Sequence, residues 1–219
     1  MTVDAPALDP PGTRPSGGRR KGRTPSTVDG RTVPERLLDH ARILFAEKGF
    51  EGTSVQDVVA AAGVTKGAMY HYFNSKDDLL YEIYGTVLRM QMERLETFIA
   101  QEAPVEERLR AASADVVVTA LENVESVAVF FRSLHLLSVD KQAEVRRERR
   151  RYHEAYRGLI IEGQRTGLFR EDISPDLAVD YFFGCVHHAP VWWHADGPLS
   201  PGEIGDTFSR LFLDSLTAR

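Results

Sequence analysis

Apolar side chains recur at helical spacing along most of this chain. Leu37, Leu38, Ala41, Leu44 and Phe45 form a stripe that predicts a helix opening near Thr32 and stopping at Lys48-Gly49. Ser75 is placed to cap a longer helix, with Asp77 and Asp78 in its first turn, where the dipole favours negative charge. Leu79, Leu80, Ile83, Leu88, Met92, Leu95 and Ile99 follow its inner side. Pro104 breaks the chain, a helix over Leu109–Leu121 follows, and Asn123 ends it. Val127–Leu137 and a charged helix from about Lys141 to Gln164 come next, with a stop near Gly167. Ser174-Pro175 starts a helix predicted to run to about Trp193, and Ser200, Pro201 and Glu203 open the last one with a capping box. Three consecutive valines, Val116 to Val118, are a local strand signal that their Ala and Leu neighbours outweigh. The predicted class is all-α.

The stretch TSVQDVVAAAGVTKGAMYHYFNSK, Thr53 to Lys76, carries most of the chemistry. Ser54 and Asp57 suit a capping box, Val55, Val58 and Val59 an apolar face, and Gly63 a left-handed turn. Thr65 can cap a second short helix holding Lys66, Gly67, Ala68, Met69, Tyr70, His71 and Tyr72. Two short helices at a tight turn, with hydroxyl, aromatic and lysine side chains on the second, match the geometry that enters a DNA major groove. Thr53, Ser54, Tyr70, Tyr72 and Lys76 suit phosphate contacts, while Lys66 can donate to a guanine edge and Met69 or Ala68 can meet a thymine methyl. His71 fits either a phosphate contact or closure of the domain, and Phe73 reads as packing.

The segment Val33–Ile83, with AEKGFEGTSVQDV followed by AAAGVTKGAMYHYFNSKDDLL, resembles the amino-terminal domain of TetR-family transcriptional regulators. The resemblance implies a three-helix DNA-binding domain in which Lys66, Gly67 and Met69 approach base edges. It also places Tyr70, Tyr72 and Lys76 on backbone contacts. GLFREDISPDLAVDYFFG and VWWHADGPLSPGEIGDTF resemble the carboxy-terminal domain of members that control fatty-acid and steroid catabolism. Such members answer to acyl-coenzyme A thioesters, so an acyl-CoA effector is implied, with small aromatic or antibiotic-like effectors as the rival. A homodimeric repressor on a palindromic operator is expected, and an activator is the alternative.

Charge agrees with that division. The formal charge of -5 is uneven: residues 1–76 hold 11 basic and 8 acidic groups, and the remainder 16 basic and 24 acidic. A basic head on an acidic body permits DNA contact while limiting non-specific adhesion. The expected organisation is a Pro-Gly-rich basic arm over 1–31, a helix-turn-helix domain over 32–77 and an effector-binding and dimerisation domain over 78–219. The GGRRKGR run in the arm can lie along phosphates or stay solvated. No run approaches the length of a membrane span, and one cysteine, Cys185, excludes an internal disulfide; the cytoplasm is the expected location.

An enzyme is not expected. His187, His188 and His194 lack a completing carboxylate set, so no metal site is predicted, and His135 and Cys185 are too far apart in the chain to argue for a catalytic pair. No phosphate-binding glycine motif or HExxH pattern occurs, and no cofactor is called for. An acyl-CoA needs an apolar cavity with positive charge at its mouth. Val117, Leu121, Val127, Phe130, Phe131, Leu134 and Tyr156 are candidates for the first. Arg150, within Arg146, Arg147, Arg149, Arg150 and Arg151, is the candidate for the second. Leu177, Tyr181, Cys185 and Trp192, with Ile204, Phe208, Leu211 and Phe212, exceed what a helical hairpin can bury, which predicts a four-helix interface across a twofold axis.

Overall fold

The computed structural model describes residues 30–217, and the basic arm's GGRRKGR run lies outside them. Within the described residues the chain forms ten helices and one 3-10 turn at Leu134–Leu136. The amino-terminal three are α1 (Val33–Lys48), α2 (Val55–Ala61) and α3 (Lys66–Tyr72). Each starts on a side-chain cap that satisfies an otherwise orphaned amide: Thr32 accepts from the Glu35 amide, Ser54 from Asp57 and Thr65 from Ala68. Gly63 has φ 64°, so the chain can reverse between α2 and α3 without the penalty a side chain carries there. Leu37, Ala41 and Phe45 of α1 enter one core with Val58, Val59, Met69, Phe73, Leu79 and Leu80.

α4 (Lys76–Ile99) begins beneath this head and runs 24 residues without a break into the body. The boundary expected at 77/78 therefore falls inside its first turn. The body adds α5 (Val105–Glu122), α6 (Val124–Ser133), α7 (Val139–Arg165), α8 (Pro175–His187), α9 (Ala189–Trp192) and α10 (Pro201–Leu216). α10 lies against α5 at close range, because a Cβ on Gly205 would sit only 2.8 Å from the Ala114 carbonyl oxygen. Tyr156, Phe182 and Phe212 tie α7, α8 and α10 together, with ring centroids 5.9 and 4.5 Å apart in successive stacked pairs. Each such ring contributes on the order of 1.5–3 kcal/mol by burial.

Two helices differ from the periodicity. α5 starts at Val105, four residues before the expected Leu109, because Pro104 serves as its N-cap and Glu106 and Glu107 occupy the first turn. The helix expected to reach Trp193 ends at His187: Pro190 has no amide to donate to the preceding turn, and the chain restarts as the four-residue α9.

Head and body are joined on both sides. Arg42 of α1 pairs with Glu125 of α6. At the other side the Ser138 amide donates to Asp77 Oδ2 at 3.0 Å, and Lys141 Nζ lies 3.2 Å from Asp78 and over the Tyr81 ring. Tyr81 donates to Glu148 Oε1 at 2.7 Å, a second link from α4 to α7. Among the described residues no helix is long and apolar enough to cross a membrane, and no group of three or more His, Cys, Asp or Glu side chains is placed to hold a metal ion.

Candidate DNA interface and effector cavity

α3 presents a polar outer face seven residues long. Thr65, Lys66, Gly67, Tyr70, His71 and Tyr72 are exposed, Tyr70 by 51%, and the His71 and Tyr72 rings meet edge to face at 4.8 Å. Ser54 is exposed at the start of α2, where its hydroxyl donates to Asp57 Oδ2 at 2.6 Å. Phe73 is buried, as its packing role requires.

Three residues expected at the DNA surface are turned to other work. Met69 is 0% exposed: its position on α3 faces α1 and the head core, so it cannot meet a thymine methyl. Thr53 is buried and donates to the Gly49 carbonyl at 2.8 Å and the Leu44 carbonyl at 3.2 Å. Lys76 donates from Nζ to the Phe50 carbonyl at 2.6 Å and the Thr53 carbonyl at 2.9 Å, with the Phe50 ring 4.3 Å below. Two of its three ammonium protons therefore hold the α1–α2 turn against α4. Arg36, which no local pattern in the sequence singles out, donates to the Ala62 carbonyl at 3.1 Å and fastens the end of α2 to α1.

In the body, a cavity of about 430 Å³ lies between α4, α7 and α8. Tyr84, Leu88 and Gln91 come from α4, Arg146, Arg149, Arg150, Tyr152 and His153 from α7, and Asp180, Phe183 and His187 from α8. Arg146, Arg149, Arg150 and His153 stand at i, i+3, i+4 and i+7, one face of a helix. That spacing was the available signal for the site. Burial, with the nearby Arg149 charge as a smaller contribution, lowers His187 to about 4, so the imidazole is neutral near pH 7. Burial also raises the Tyr84 and Tyr152 phenols, which stay protonated.

Arg150 is the one residue of the expected effector set that reaches this cavity. Val117, Val127, Phe130, Phe131, Leu134 and Tyr156 line neither this cavity nor a second one at the head–body junction, and Leu121 lines the second. The reason is packing depth. Phe130 is fully buried and stacked on Tyr84 at 3.8 Å, so it backs the wall. Phe131 lies beneath Arg149 and beside His187, and the Tyr156 hydroxyl is spent on Ser113 Oγ at 3.3 Å.

The expected dimer face divides as well. Leu177 (68% exposed), Tyr181 and Trp192 on α8–α9 and Leu211 on α10 are exposed, with Val191 beside them, while Cys185 and Phe208 are half-buried. Trp192 stacks on Phe208 at 5.9 Å. Ile204 and Phe212 are buried inside the chain instead, because α10 turns that side onto α5 and Phe182.

Comparison with known proteins agrees with this architecture. Residues 37–83 match the model of bacterial regulatory proteins of the tetR family, and residues 102–216 match the tetracycline-repressor-like carboxy-terminal domain. The transcriptional repressor KstR2 of Rhodococcus jostii is 27% identical over 187 residues, 83% of this chain and 90% of its own. The crystal structure of PfmR, a TetR-family transcriptional regulator from Thermus thermophilus, superimposes with a TM-score of 0.74 at 31% identity, covering 84% of this chain and all of that one. AibR, solved in complex with isovaleryl coenzyme A and operator DNA, shares the fold with a TM-score of 0.68 at 24% identity, over 82% of this chain and 97% of its own. With both halves matched, the chain belongs to the TetR family of bacterial regulatory proteins, and it is a DNA-binding transcriptional regulator rather than an enzyme.

Proposed function

We propose that this regulator is a homodimeric repressor that binds a palindromic operator and is released by an acyl-coenzyme A thioester held in the cavity between α4, α7 and α8. The observation that carries this reading is the cavity's composition. Arg146, Arg149 and Arg150 give it the planar, always-charged donors that suit phosphates, and Tyr84, Leu88, Tyr152 and Phe183 give it walls that suit an acyl group. AibR, which shares the fold, was solved with isovaleryl coenzyme A bound, and KstR2 is a transcriptional repressor.

In this reading the exposed face of α3, with Lys66, Gly67, Tyr70, His71 and Tyr72, meets the major groove, and Ser54 and Thr65 lie toward phosphates. Leu177, Tyr181, Cys185, Trp192, Phe208 and Leu211 pair with a second copy. The thioester touches α4 directly through Tyr84, Leu88 and Gln91, on the same helix whose first turn underlies the head. A ligand that favours one pose of α4 then biases the spacing of two heads, and operator affinity falls by the differential affinity for the two poses.

The test is an operator titration at fixed salt with DNA from the protein's own upstream region. Acyl-CoA thioesters of several chain lengths and ring types are added, with free coenzyme A as control. Release by thioesters, lost in Arg149→Glu while DNA binding persists, is the expected result. Tight operator binding indifferent to the whole panel would remove the thioester from this site.

A further inference from the structure

The second and larger cavity, about 840 Å³, lies where the head meets the body and shares no lining residue with the arginine-bearing one. Leu38 comes from α1, Ile83 and Val87 from α4, Leu121 from the end of α5, and Trp193 from the chain leading into α10. These form an apolar wall. The indole N–H of Trp193 is buried with no acceptor among the described residues.

The charged groups around that wall decide what can enter. Arg31 donates to Asp39 at 2.8 Å, and Arg42 pairs with Glu125, so both guanidinium groups are already neutralised. Glu35 and Glu122 also line the cavity, so its wall carries four carboxylates, Glu35, Asp39, Glu122 and Glu125, against the two guanidinium groups of Arg31 and Arg42. Glu35 accepts from Thr32 in the cap of α1 and is held below the usual carboxylate range mainly by those hydrogen bonds, with the Arg31 charge as a smaller contribution. That net negative charge beside an apolar and aromatic wall repels a phosphate-bearing thioester and attracts the opposite charge.

We propose that this junction cavity is a second ligand site, for a compact organic cation with an apolar body. Its occupant touches α1 and α6 together and sits against the Arg42–Glu125 pair that ties them. Occupancy therefore acts on the seating of the head through α1 and α6, helices that the α4–α7–α8 cavity does not reach.

The experiment is isothermal titration of the full chain with three probes of similar size: benzyltrimethylammonium, benzyl alcohol and phenylacetate. The ammonium binds once per chain and tighter than the alcohol, and phenylacetate gives no saturable heat. Glu122→Lys, at an exposed position, weakens the ammonium by about tenfold or more. Leu38→Trp, which fills the wall, abolishes its binding. Arg149→Glu, in the other cavity, leaves ammonium binding intact even if thioesters prove not to act there, so the two readings fail separately. No ammonium binding, phenylacetate binding as tight as the ammonium, or wild-type affinity in Glu122→Lys each overturns the proposal.

Discussion

Lys76 separates two readings of one residue. Its sequence position matches a phosphate contact, whereas the structure gives two of its protons to the Phe50 and Thr53 carbonyls and rests its ammonium on the Phe50 ring. Lys76→Met keeps most of the stem and removes those donors. Hydrogen bonds to charged groups contribute about 1.5–3 kcal/mol each, and the ring contact about 0.5–1 kcal/mol. Because the side chain is only partly buried, we discount the sum to about 2–4 kcal/mol. For a chain of this size that lowers the melting temperature by about 5–15 °C. The assay pairs thermal unfolding followed by circular dichroism with operator binding at several salt concentrations. A phosphate contact alone predicts the reverse pattern: an unchanged melting temperature and a salt slope smaller by about 1.8 for the dimer, about 0.9 per protomer. That outcome would refute a structural role for Lys76.

Three further outcomes follow from other parts of the molecule. His187 is lowered to about 4 in the folded chain, so the unfolded state binds its proton first as pH falls; the stability from keeping it neutral is full above about 6.5 and is lost as pH drops through about 4. The loss is on the order of 3 kcal/mol, and denaturant titrations at pH 7, 5.5 and 4.5 should show a flatter profile in His187→Phe than in wild type. Gly163→Ala should destabilise by several kcal/mol, since a Cβ there would lie 2.0 Å from the Phe169 ring; an unchanged denaturation midpoint would show that α7 can shift to admit it. Leu177→Glu combined with Leu211→Glu puts charge on the exposed α8–α10 face and should convert a dimer to a monomer in sedimentation without altering helical content. A dimer that survives would move the interface elsewhere.

What the sequence disclosed and what it hid follow from range. Caps are local, so Thr65 and the Ser54–Asp57 and Ser200–Glu203 boxes could be read from spacing alone and stand in the structure as hydrogen bonds. Gly63 is equally local. The facing of a seven-residue helix is not. Met69 lies one residue from exposed Tyr70, and only the position of α1 decides that Met69 goes inward. The same holds for α10, where Phe212 and Leu211 are neighbours with opposite fates because α5 occupies one side. Cavity walls are harder still: they are places where packing stops, and Phe130, apolar and well placed, is stacked one layer behind Tyr84. The arginine face was visible in part, since Arg146, Arg149 and Arg150 share a helix side, but Tyr84 and Phe183 reach it from distant sequence.

The unbroken course of α4 has a geometric consequence. At about 1.5 Å per residue its 24 residues make a rod of about 36 Å. A pivot of about 5° at the body end moves the other end by about 3 Å over that length. In a twofold pair the two displacements are opposed, so the separation of the reading helices changes by about 6 Å against a groove repeat of about 34 Å. A shift of that size puts α3 out of register with the second groove, while Tyr84, Leu88 and Gln91 at the ligand, nearer the pivot, move by only about 1–2 Å. The rod acts as a gear: length, rather than contact energy, supplies the amplification.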